Sequence, residues 1–178
     1  TAELAAMANS GTAGYFGGGH AAAQVATVDK FAFGDDSRTT LGTGLSTATQ
    51  SLAGMANSGT AGYFGGGNDA DYLTRVDKFT FSDDSRSTLG TGLSVARNGL
   101  GAMANSGTAG YFAGGYGAAG RSDVVDKFAF SDDSRTTLGT GLSGARSSGI
   151  GAMANSGTAG YFGGGYDGSR LTTVDKFA

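Results

Sequence analysis

The sequence predicts an all-β fold, a β-propeller built from four-stranded blades, and three observations lead to this prediction. One block of sequence recurs along the whole chain. Each copy contains four short segments of strand-like composition that are separated by turn residues. No segment places apolar residues at the i, i+3, i+4, i+7 spacing over the length of a helix. Four antiparallel strands in a repeat of this size are typical of one propeller blade.

The repeat is clearest in residues 7–19, which read MANSGTAGYFGGG. This segment returns at Met55, at Met103 with Ala113 in place of one glycine, and at Met153, so successive copies start 48, 48 and 50 residues apart. A second block, Val-Asp-Lys-Phe, occurs four times, and a third block that ends Leu-Gly-Thr-Gly-Leu-Ser occurs three times. We therefore predict a single repeat array over residues 1–178 whose last unit lacks its outer strand. Its units span approximately residues 1–48, 49–96, 97–145 and 146–178.

The strands can be placed within the third unit. Small and apolar residues lead to Asn105-Ser106-Gly107-Thr108, whose Asn, Ser and Gly are typical of a hairpin turn. Two aromatic residues follow, and Gly114-Gly115 ends that strand. Ser131-Asp132-Asp133-Ser134 is predicted to form the next turn, and Gly139 and Gly141 weaken the strand after it. The predicted strands are residues 100–105, 109–112, 125–130 and 136–142.

The abundance of small residues predicts which strand of each blade lies nearest the propeller axis. Blades crowd together at the axis, where glycine and alanine allow two backbones to approach closely. We therefore expect residues 4–9 and their equivalents to be innermost and the threonine-rich fourth strand to be outermost. Methionines and aromatic residues are expected to fill the space between blades. These residues are Met7, Met55, Met103, Met153, Tyr15, Phe16, Phe31, Phe33 and the aromatic counterparts in later units.

The composition excludes several functional classes. The chain has 178 residues, of which 35 are Gly, with no Cys, one His and a formal net charge of −3. The lack of Cys excludes a disulfide scaffold, a thiolate metal site and a Cys nucleophile, and a single His excludes a multi-histidine metal site. The slightly acidic charge is unlike the basic face of a nucleic-acid-binding protein. No apolar stretch approaches the length of a membrane span, and we expect no cofactor.

The order of these features resembles the kelch repeat. In each unit an aromatic strand ends in a glycine doublet, and a variable loop and a Val-Asp-Lys-Phe strand follow. A turn, a fourth strand and then Ala96-Arg97 or Ala145-Arg146 complete the unit. The sequence differs from the kelch pattern in a longer turn before the fourth strand and in Thr49, which stands where other units have Arg. Leucine also replaces the fourth-strand tryptophan at Leu41, Leu89 and Leu138.

The resemblance covers the whole chain and implies a divergent, glycine-rich kelch-like propeller of bacterial or phage type. It also implies a location outside a cell or on a virion. Kelch-fold copper oxidases depend on a Cys-linked Tyr and on more than one His, so the lack of Cys is incompatible with that activity. Kelch rings more often have six or seven blades than four. The chain is therefore an incomplete four-bladed ring, part of a longer array, one protomer of a shared ring or a solenoid-like stack.

Candidate catalytic and ligand-binding motifs have simpler structural explanations. The repeated Asp83-Asp84-Ser85-Arg86 suits a turn, because Asp and Ser side chains bond to nearby backbone. Gly17-Gly18-Gly19 is not followed by the Gly-Lys-Ser/Thr and the helix of a phosphate-binding loop. Asn68-Asp69-Ala70-Asp71 resembles a calcium-binding nonapeptide but lacks its fourth glycine and its nine-residue period. His20 has no His, Cys or acidic neighbour in the sequence with which to bind a metal.

The variable loops are the strongest candidates for a binding site. Residues 20–27, 68–75, 116–124 and 166–173 differ from one another while the flanking strands are nearly identical. Loops on a rigid scaffold commonly carry binding residues, and Tyr and Arg are enriched at recognition hot spots. The alternative is that these loops vary because nothing constrains them. The candidate binding residues are His20, Asn68, Asp69, Asp71, Tyr72, Arg75, Tyr116, Arg121, Tyr166, Asp167 and Arg170.

These observations predict a non-enzymatic binding module that presents its loops to a protein or glycan ligand and that binds neither nucleic acid nor metal. The alternative function is a self-assembling structural repeat. In that case the unfinished last blade offers an unpaired strand edge to another copy and builds a filament or a shared ring. A hydrolase or oxidoreductase would need a cluster of buried titratable groups, which the repeated residues do not supply.

Overall fold

The computed structural model describes residues 2–155 and 157–177, and it confirms the all-β prediction. The strands form four antiparallel sheets arranged as the blades of a propeller, three with four strands and the last with three. Within each blade the strands pair side by side in chain order. The described part of the chain contains no helix that could cross a membrane.

The strand bounds repeat closely from blade to blade. Blade 1 contains β1 (Ala5–Asn9), β2 (Ala13–Gly17), β3 (Val28–Ala32) and β4 (Arg38–Thr40). Blade 2 contains β5 (Ala53–Asn57), β6 (Ala61–Gly65), β7 (Val76–Thr80) and β8 (Ser85–Thr88). Blade 3 contains β9 (Gly101–Asn105), β10 (Ala109–Ala113), the two-stranded hairpin β11 (Tyr116–Gly117) and β12 (Gly120–Arg121), β13 (Val125–Ala129) and β14 (Arg135–Thr137). Blade 4 contains β15 (Ser147–Asn155), β16 (Ala159–Tyr166) and β17 (Val174–Phe177).

The inner position of the first strand in each blade is confirmed. β1 packs against β5, β5 against β9, and β9 against β15, so these four strands are neighbours across the blades. β4, β8 and β14 lie at the opposite edge of their sheets. The residues between the first two strands form the predicted hairpin turn. In blade 1 the Thr12 N–H donates to the Asn9 carbonyl over 3.0 Å, and Gly11 supplies the left-handed backbone at φ 73°.

Large side chains of one blade pack against glycines of its neighbour. The Phe64 ring lies over Gly17 of blade 1, where an added Cβ would come within 2.9 Å of the ring carbons. In the opposite direction, the Met7 sulfur lies against Gly62 of blade 2 and leaves no room for a Cβ. Both contacts recur at the next interface, where Phe112 lies over Gly65. Glycine in the strands therefore serves close packing between blades, because a side chain there would displace the Phe or Met.

The prediction that all the methionines and paired aromatic residues fill the space between blades is wrong at the two ends of the array. Met103 is 5% exposed, whereas Met153 in the same position of blade 4 is 71% exposed. Phe64 is 2% exposed, whereas Phe16 in blade 1 is 42% exposed. No packing comparable to that between consecutive blades joins blade 4 to blade 1 in residues 2–155 and 157–177. These side chains are exposed because no blade among the described residues packs on them.

The fourth strand is shorter than predicted. The sequence predicts residues 136–142 as a strand, but β14 ends at Thr137. Beyond it the chain turns toward the loop before β13, where the Leu142 N–H donates to the Asp123 carbonyl over 2.7 Å. A Cβ at Gly141 would overlap that carbonyl, and the Leu142 side chain is buried. The Gly-Thr-Gly-Leu segment therefore packs under the loop instead of extending the sheet.

Candidate functional site: the loop surface

Side-chain contacts join all four variable loops into one surface, which we call the loop surface. The Gln24 side-chain amide in the first loop donates to the Asp69 carbonyl in the second over 3.0 Å. The rings of Tyr72 and Tyr116 link the second loop to the third, with centroids 6.0 Å apart. The Arg121 guanidinium links the third loop to the fourth and lies 4.9 Å from the centroid of the Tyr166 ring. Four segments that are distant in sequence thus form the continuous loop surface.

Each loop starts at the glycine doublet that ends the second strand. In blade 2, Gly66 and Gly67 have left-handed φ values of 66° and 91°. A Cβ at Gly66 would lie 2.7 Å from the Arg97 carbonyl of the segment that leads to blade 3. Glycine is therefore needed both for the backbone conformation and for this close approach. The Leu73 N–H then donates to the Gly67 carbonyl over 2.9 Å and closes the loop at its base.

In blades 1 to 3 the other end of the loop is held by the Gly-Thr-Gly-Leu segment of the same unit. The Leu93 N–H donates to the Thr74 carbonyl over 2.6 Å, and Leu45 and Leu142 make the same bond in blades 1 and 3. The loop ends are thus fixed by repeated residues while the loop tips carry the variable ones. Because their ends are fixed, these loops lose less conformational entropy when a ligand binds.

The eleven candidate residues fall into two groups by exposure. Seven are exposed: His20, Asp71, Tyr116, Arg121, Tyr166, Asp167 and Arg170. Four are half-buried: Asn68, Asp69, Tyr72 and Arg75. Tyr116 and Tyr166 are 40% and 41% exposed, so each presents a large apolar ring to solvent while part of it packs on a neighbouring loop. Arranged in this way, aromatic and arginine side chains can contact a partner without first becoming ordered.

Three of the candidate residues also shape the loops. The Asp69 carboxylate accepts from the Asp71 N–H over 3.0 Å, and Asp167 accepts from the Ser169 N–H over 2.9 Å. The hydrogen bond from the Asp71 N–H lowers the pKa of Asp69 below its ordinary value. The Asn68 side chain accepts from the Asn98 side chain over 2.9 Å. Asp69 and Asp167 therefore hold turns, and Asn68 joins its loop to the segment that leads to blade 3. No side-chain hydrogen bond is formed by the candidate tyrosines and arginines within the described residues.

The structure does not assemble the remaining candidates into a metal site. His20 pairs through its backbone with Ala2 and Gln24. Among residues 2–155 and 157–177, no three His, Asp or Glu side chains are grouped closely enough to hold a metal ion. The functional interest of the loop surface thus lies in its shape and in its aromatic and charged groups.

The Asp-Asp-Ser-Arg turn is confirmed, and its second aspartate has a role that sequence reasoning missed. Asp83 accepts from the Ser85 N–H over 3.0 Å within the turn. Asp84 has a left-handed φ of 55° and reaches blade 1, where it accepts from the Tyr15 hydroxyl at 2.8 Å and from Lys30 at 2.7 Å. Burial, followed by the bond to Asp84, raises the pKa of Tyr15, and the bond to Asp84 raises the pKa of Lys30. The turn therefore clamps two blades together.

The same clamp joins blades 2 and 3. Asp133, at φ 58°, accepts from the Tyr63 hydroxyl at 2.7 Å and from Lys78 at 2.6 Å. Burial and the hydrogen bond to Asp133 raise the pKa of Tyr63. The signal in the sequence is that Asp-Asp, Tyr and Lys each recur once per unit. Their partnership was not visible because the bonded residues are about one and a half units apart, at a separation of 70 residues for Tyr63 and Asp133.

The Asp of the Val-Asp-Lys-Phe strand is buried in blades 2 and 3. Asp126 is fully buried, and its carboxylate lies 2.9 Å from the buried Arg97 guanidinium of the preceding inter-blade segment. Arg86 of β8 lies 3.6 Å from the Asp77 carboxylate. The buried Asp77 lacks a counterpart of Arg97, because Thr49 stands at that position. It accepts instead from the Ser46 N–H and hydroxyl, both at 2.8 Å.

No protein-family model and no curated protein matches this sequence. The loop surface is therefore interpreted from its own geometry. A scaffold of repeated residues joins the blades, and variable Tyr- and Arg-bearing loops lie side by side on it. Such an arrangement can bind a partner through an extended surface that no single loop supplies.

Proposed function

We propose that the chain is a binding module whose partner contacts the loop surface. The observation that carries this proposal is the chain of contacts Gln24–Asp69, Tyr72–Tyr116 and Arg121–Tyr166, which unites four unlike loops. Variation is concentrated in the loops, and in blades 1 to 3 repeated residues fix both ends of each loop. A repeated scaffold with a variable continuous surface fits recognition of a protein or a glycan, because partially packed aromatic rings lose little entropy on binding.

We also propose that the chain belongs to the kelch-repeat family. The order of strand, glycine doublet, variable loop and Val-Asp-Lys-Phe strand supports it, and the buried Arg97 follows the fourth strand of its unit. A location outside a cell or on a virion rests on the resemblance to secreted and phage-encoded repeat arrays alone.

We also propose that this module is not an enzyme. The carboxylates of Asp69 and Asp167 are engaged in turns, and those of Asp84 and Asp133 join blades. A general acid or base works best in a cleft that shifts its pKa toward the working pH. The pKa of Asp69 is lowered rather than raised. This direction supports a structural role for Asp69.

Ligand screening with a triple loop variant tests the proposal. The purified chain is applied to a glycan array and to a displayed peptide library, and every binder is tested again with Tyr72→Ala/Tyr116→Ala/Tyr166→Ala. We expect binders of the parent protein to lose affinity by at least about tenfold, since truncated hot-spot aromatics commonly cost more than 1 kcal/mol each. Retained affinity for every binder would reject the loop surface as the site.

The matched control alters three equivalent residues on the outer strands. Thr39, Ser87 and Thr136 are exposed and pair with the lysine of the adjacent strand in blades 1, 2 and 3. Replacing all three with Ala leaves the loop surface intact. This variant should bind as the parent does, and equal loss in both variants would show a general effect on the fold.

Self-assembly is a second candidate function, favoured by one observation. β17 is the outer strand of a three-stranded sheet, so its outer edge has no partner strand within residues 2–155 and 157–177. In blades 1 to 3 this edge pairs with β4, β8 and β14. An unpaired edge can accept a strand of another copy and so build a filament or a shared ring.

A further inference from the structure

Two large surfaces at the ends of the array match the two sides of an interface that the molecule already uses internally. The leading face of blade 1 comprises Gly14, Phe16, Phe33 and Asp36. The trailing face of blade 4 comprises Met153, Tyr161, Gly163, Val174 and Lys176. Both faces are distinct from the loop surface and from the outer edge of β17. Their internal counterparts show what each one would contact.

The trailing face of blade 4 has a site for an aromatic ring that is not filled. At Gly17 and Gly65 an added Cβ would meet the ring of Phe64 or Phe112 from the following blade. At Gly163 in blade 4 an added Cβ would meet only the Val174 methyl at 3.3 Å. Val174 is 61% exposed, whereas Val28, Val76 and Val125 are fully buried. An apolar depression lined by Ala152, Met153, Tyr161, Gly163 and Val174 lies at this place.

The leading face of blade 1 carries the ring that fits such a site. Phe16 occupies the position of Phe64 and Phe112, which are 2% and 0% exposed, yet it is 42% exposed. Beside it, Gly14 has the position of Gly62, against which Met7 packs. At Gly14 the three atoms nearest to an added Cβ belong to the rings of Phe33 and Phe16 of the same blade, and none of them belongs to a methionine. Each face therefore offers a protruding side chain and a glycine that would receive the other face's side chain.

Polar groups are arranged in the same complementary way. Asp36 has a φ of 55°, the same left-handed conformation as Asp84 and Asp133, which accept from Tyr and Lys of the preceding blade. Blade 4 carries that Tyr and Lys as Tyr161 and Lys176, which are cross-strand neighbours. Tyr15 also stacks on Phe81 of the next blade, with ring centroids 5.1 Å apart. The equivalent rings at the two ends of the array are Tyr161 in blade 4 and Phe33 in blade 1, and they do not form this stack within the described residues. The charged groups, the aromatic rings and the shapes of the two faces are therefore complementary in one relative orientation of the faces.

We propose that the trailing face of blade 4 binds the leading face of blade 1 of a second copy of this chain. Phe16 of one copy then packs on Gly163 of the other, Met153 packs on Gly14, and Asp36 accepts from Tyr161 and Lys176. The contact continues the interface between consecutive blades, in which the methionine contact occurs three times and the phenylalanine contact and the aspartate clamp occur twice. Because the two faces differ, the association is head to tail, and it closes into a ring or adds further copies according to the angle between blades.

Complementation between two single variants tests this pairing. Phe16→Glu alters only the leading face, and Met153→Glu alters only the trailing face, and both residues are exposed in the single chain. Light scattering after size exclusion, across a wide concentration range, measures the mass of each protein alone and of the mixture. The parent chain should form species larger than 17.5 kDa, and each variant alone should remain at 17.5 kDa. The mixture retains one intact face from each variant and should give a species of twice that mass and no larger.

One control variant and two contrary outcomes complete the test. Val95→Glu places the same charge on a side chain that is 44% exposed and lies in neither face, so it should associate as the parent does. A parent chain that stays at 17.5 kDa at all concentrations overturns the proposal. Association that survives Phe16→Glu and Met153→Glu also overturns it and indicates pairing at the β17 edge. This result would leave the loop-surface proposal unaffected, since none of these residues lies in a variable loop.

Discussion

Arg97 and Asp126 form an ion pair at 2.9 Å in which neither side chain is exposed to solvent. Arg97 also donates to the Phe112 carbonyl, and Asp126 accepts from the Ser94 N–H and the Thr137 hydroxyl. The pair therefore ties the segment between blades 2 and 3 to two strands of blade 3. Such a pair adds little net stability compared with apolar packing, but loss of one partner leaves a buried charge alone.

Replacing Arg97 with Met should destabilise the protein by about 3 to 5 kcal/mol, because Asp126 would keep its buried charge without a cation. Chemical denaturation measures this change in the free energy of unfolding. The control is Arg38→Met, which removes an exposed pair with Asp29 at 3.6 Å. That change should cost at most about 1 kcal/mol. Similar losses for the two variants would show that the burial of Arg97 does not matter.

Acid should weaken the fold through Asp126. Burial alone would raise the pKa of this carboxyl, but the Ser94 N–H, the Arg97 charge and the Thr137 hydroxyl outweigh it, and the net pKa is lowered. A carboxyl with a lowered pKa stabilises the folded state above its unfolded pKa of about 4, and this contribution is lost as the pH falls through the folded value. The urea concentration at the unfolding midpoint, measured from pH 7 downward, should decrease once the pH is below about 4. The fall should be shallower in Asp126→Asn, and an identical slope would assign the acid response to other groups.

The inter-blade clamp predicts unequal effects of one substitution at two equivalent turns. Asp133→Asn keeps a residue that tolerates the left-handed φ of 58° but removes the charge that accepts from Tyr63 and Lys78. We expect a loss of about 1 to 3 kcal/mol in the free energy of unfolding. Asp36→Asn changes the same turn position at φ 55° without an inter-blade bond in the single chain. Measured below the concentration of association, it should be within about 0.5 kcal/mol of the parent.

Two neighbouring glycines should differ sharply in their tolerance of alanine. A Cβ at Gly92 would overlap the Thr74 backbone carbonyl, whereas a Cβ at Gly90 meets nothing within 4 Å. Gly92→Ala should therefore lower the free energy of unfolding by about 1 to 3 kcal/mol, because backbone yields less than a side chain does. Gly90→Ala should be neutral or stabilising by up to about 1 kcal/mol through the unfolded chain. Thermal denaturation measures both, and equal effects would contradict the packing of this segment under the loop.

Residues within one unit were sufficient to predict most of the blade. The hairpin turn at Asn105-Ser106-Gly107-Thr108 and the third strand from Val125 were predictable, because turn residues and β-branched or aromatic side chains act over a few neighbours. The fourth strand was predicted too long, since its glycines pack under a loop instead of pairing in the sheet. The candidate loops were found from variation alone, but their contacts depend on the distance between adjacent blades.

The sequence by itself determined the repeat, the strands and the inner position of the small-residue strand, because each follows from local composition and period. Only the tertiary structure decided which residues meet between units. Met103 and Met153 stand in the same local sequence, Ala-Met-Ala-Asn-Ser-Gly-Thr-Ala-Gly-Tyr. Yet one is 5% exposed and the other 71% exposed. Burial depends on the blade that packs against the side chain, and the residues around it in the chain do not encode that neighbour.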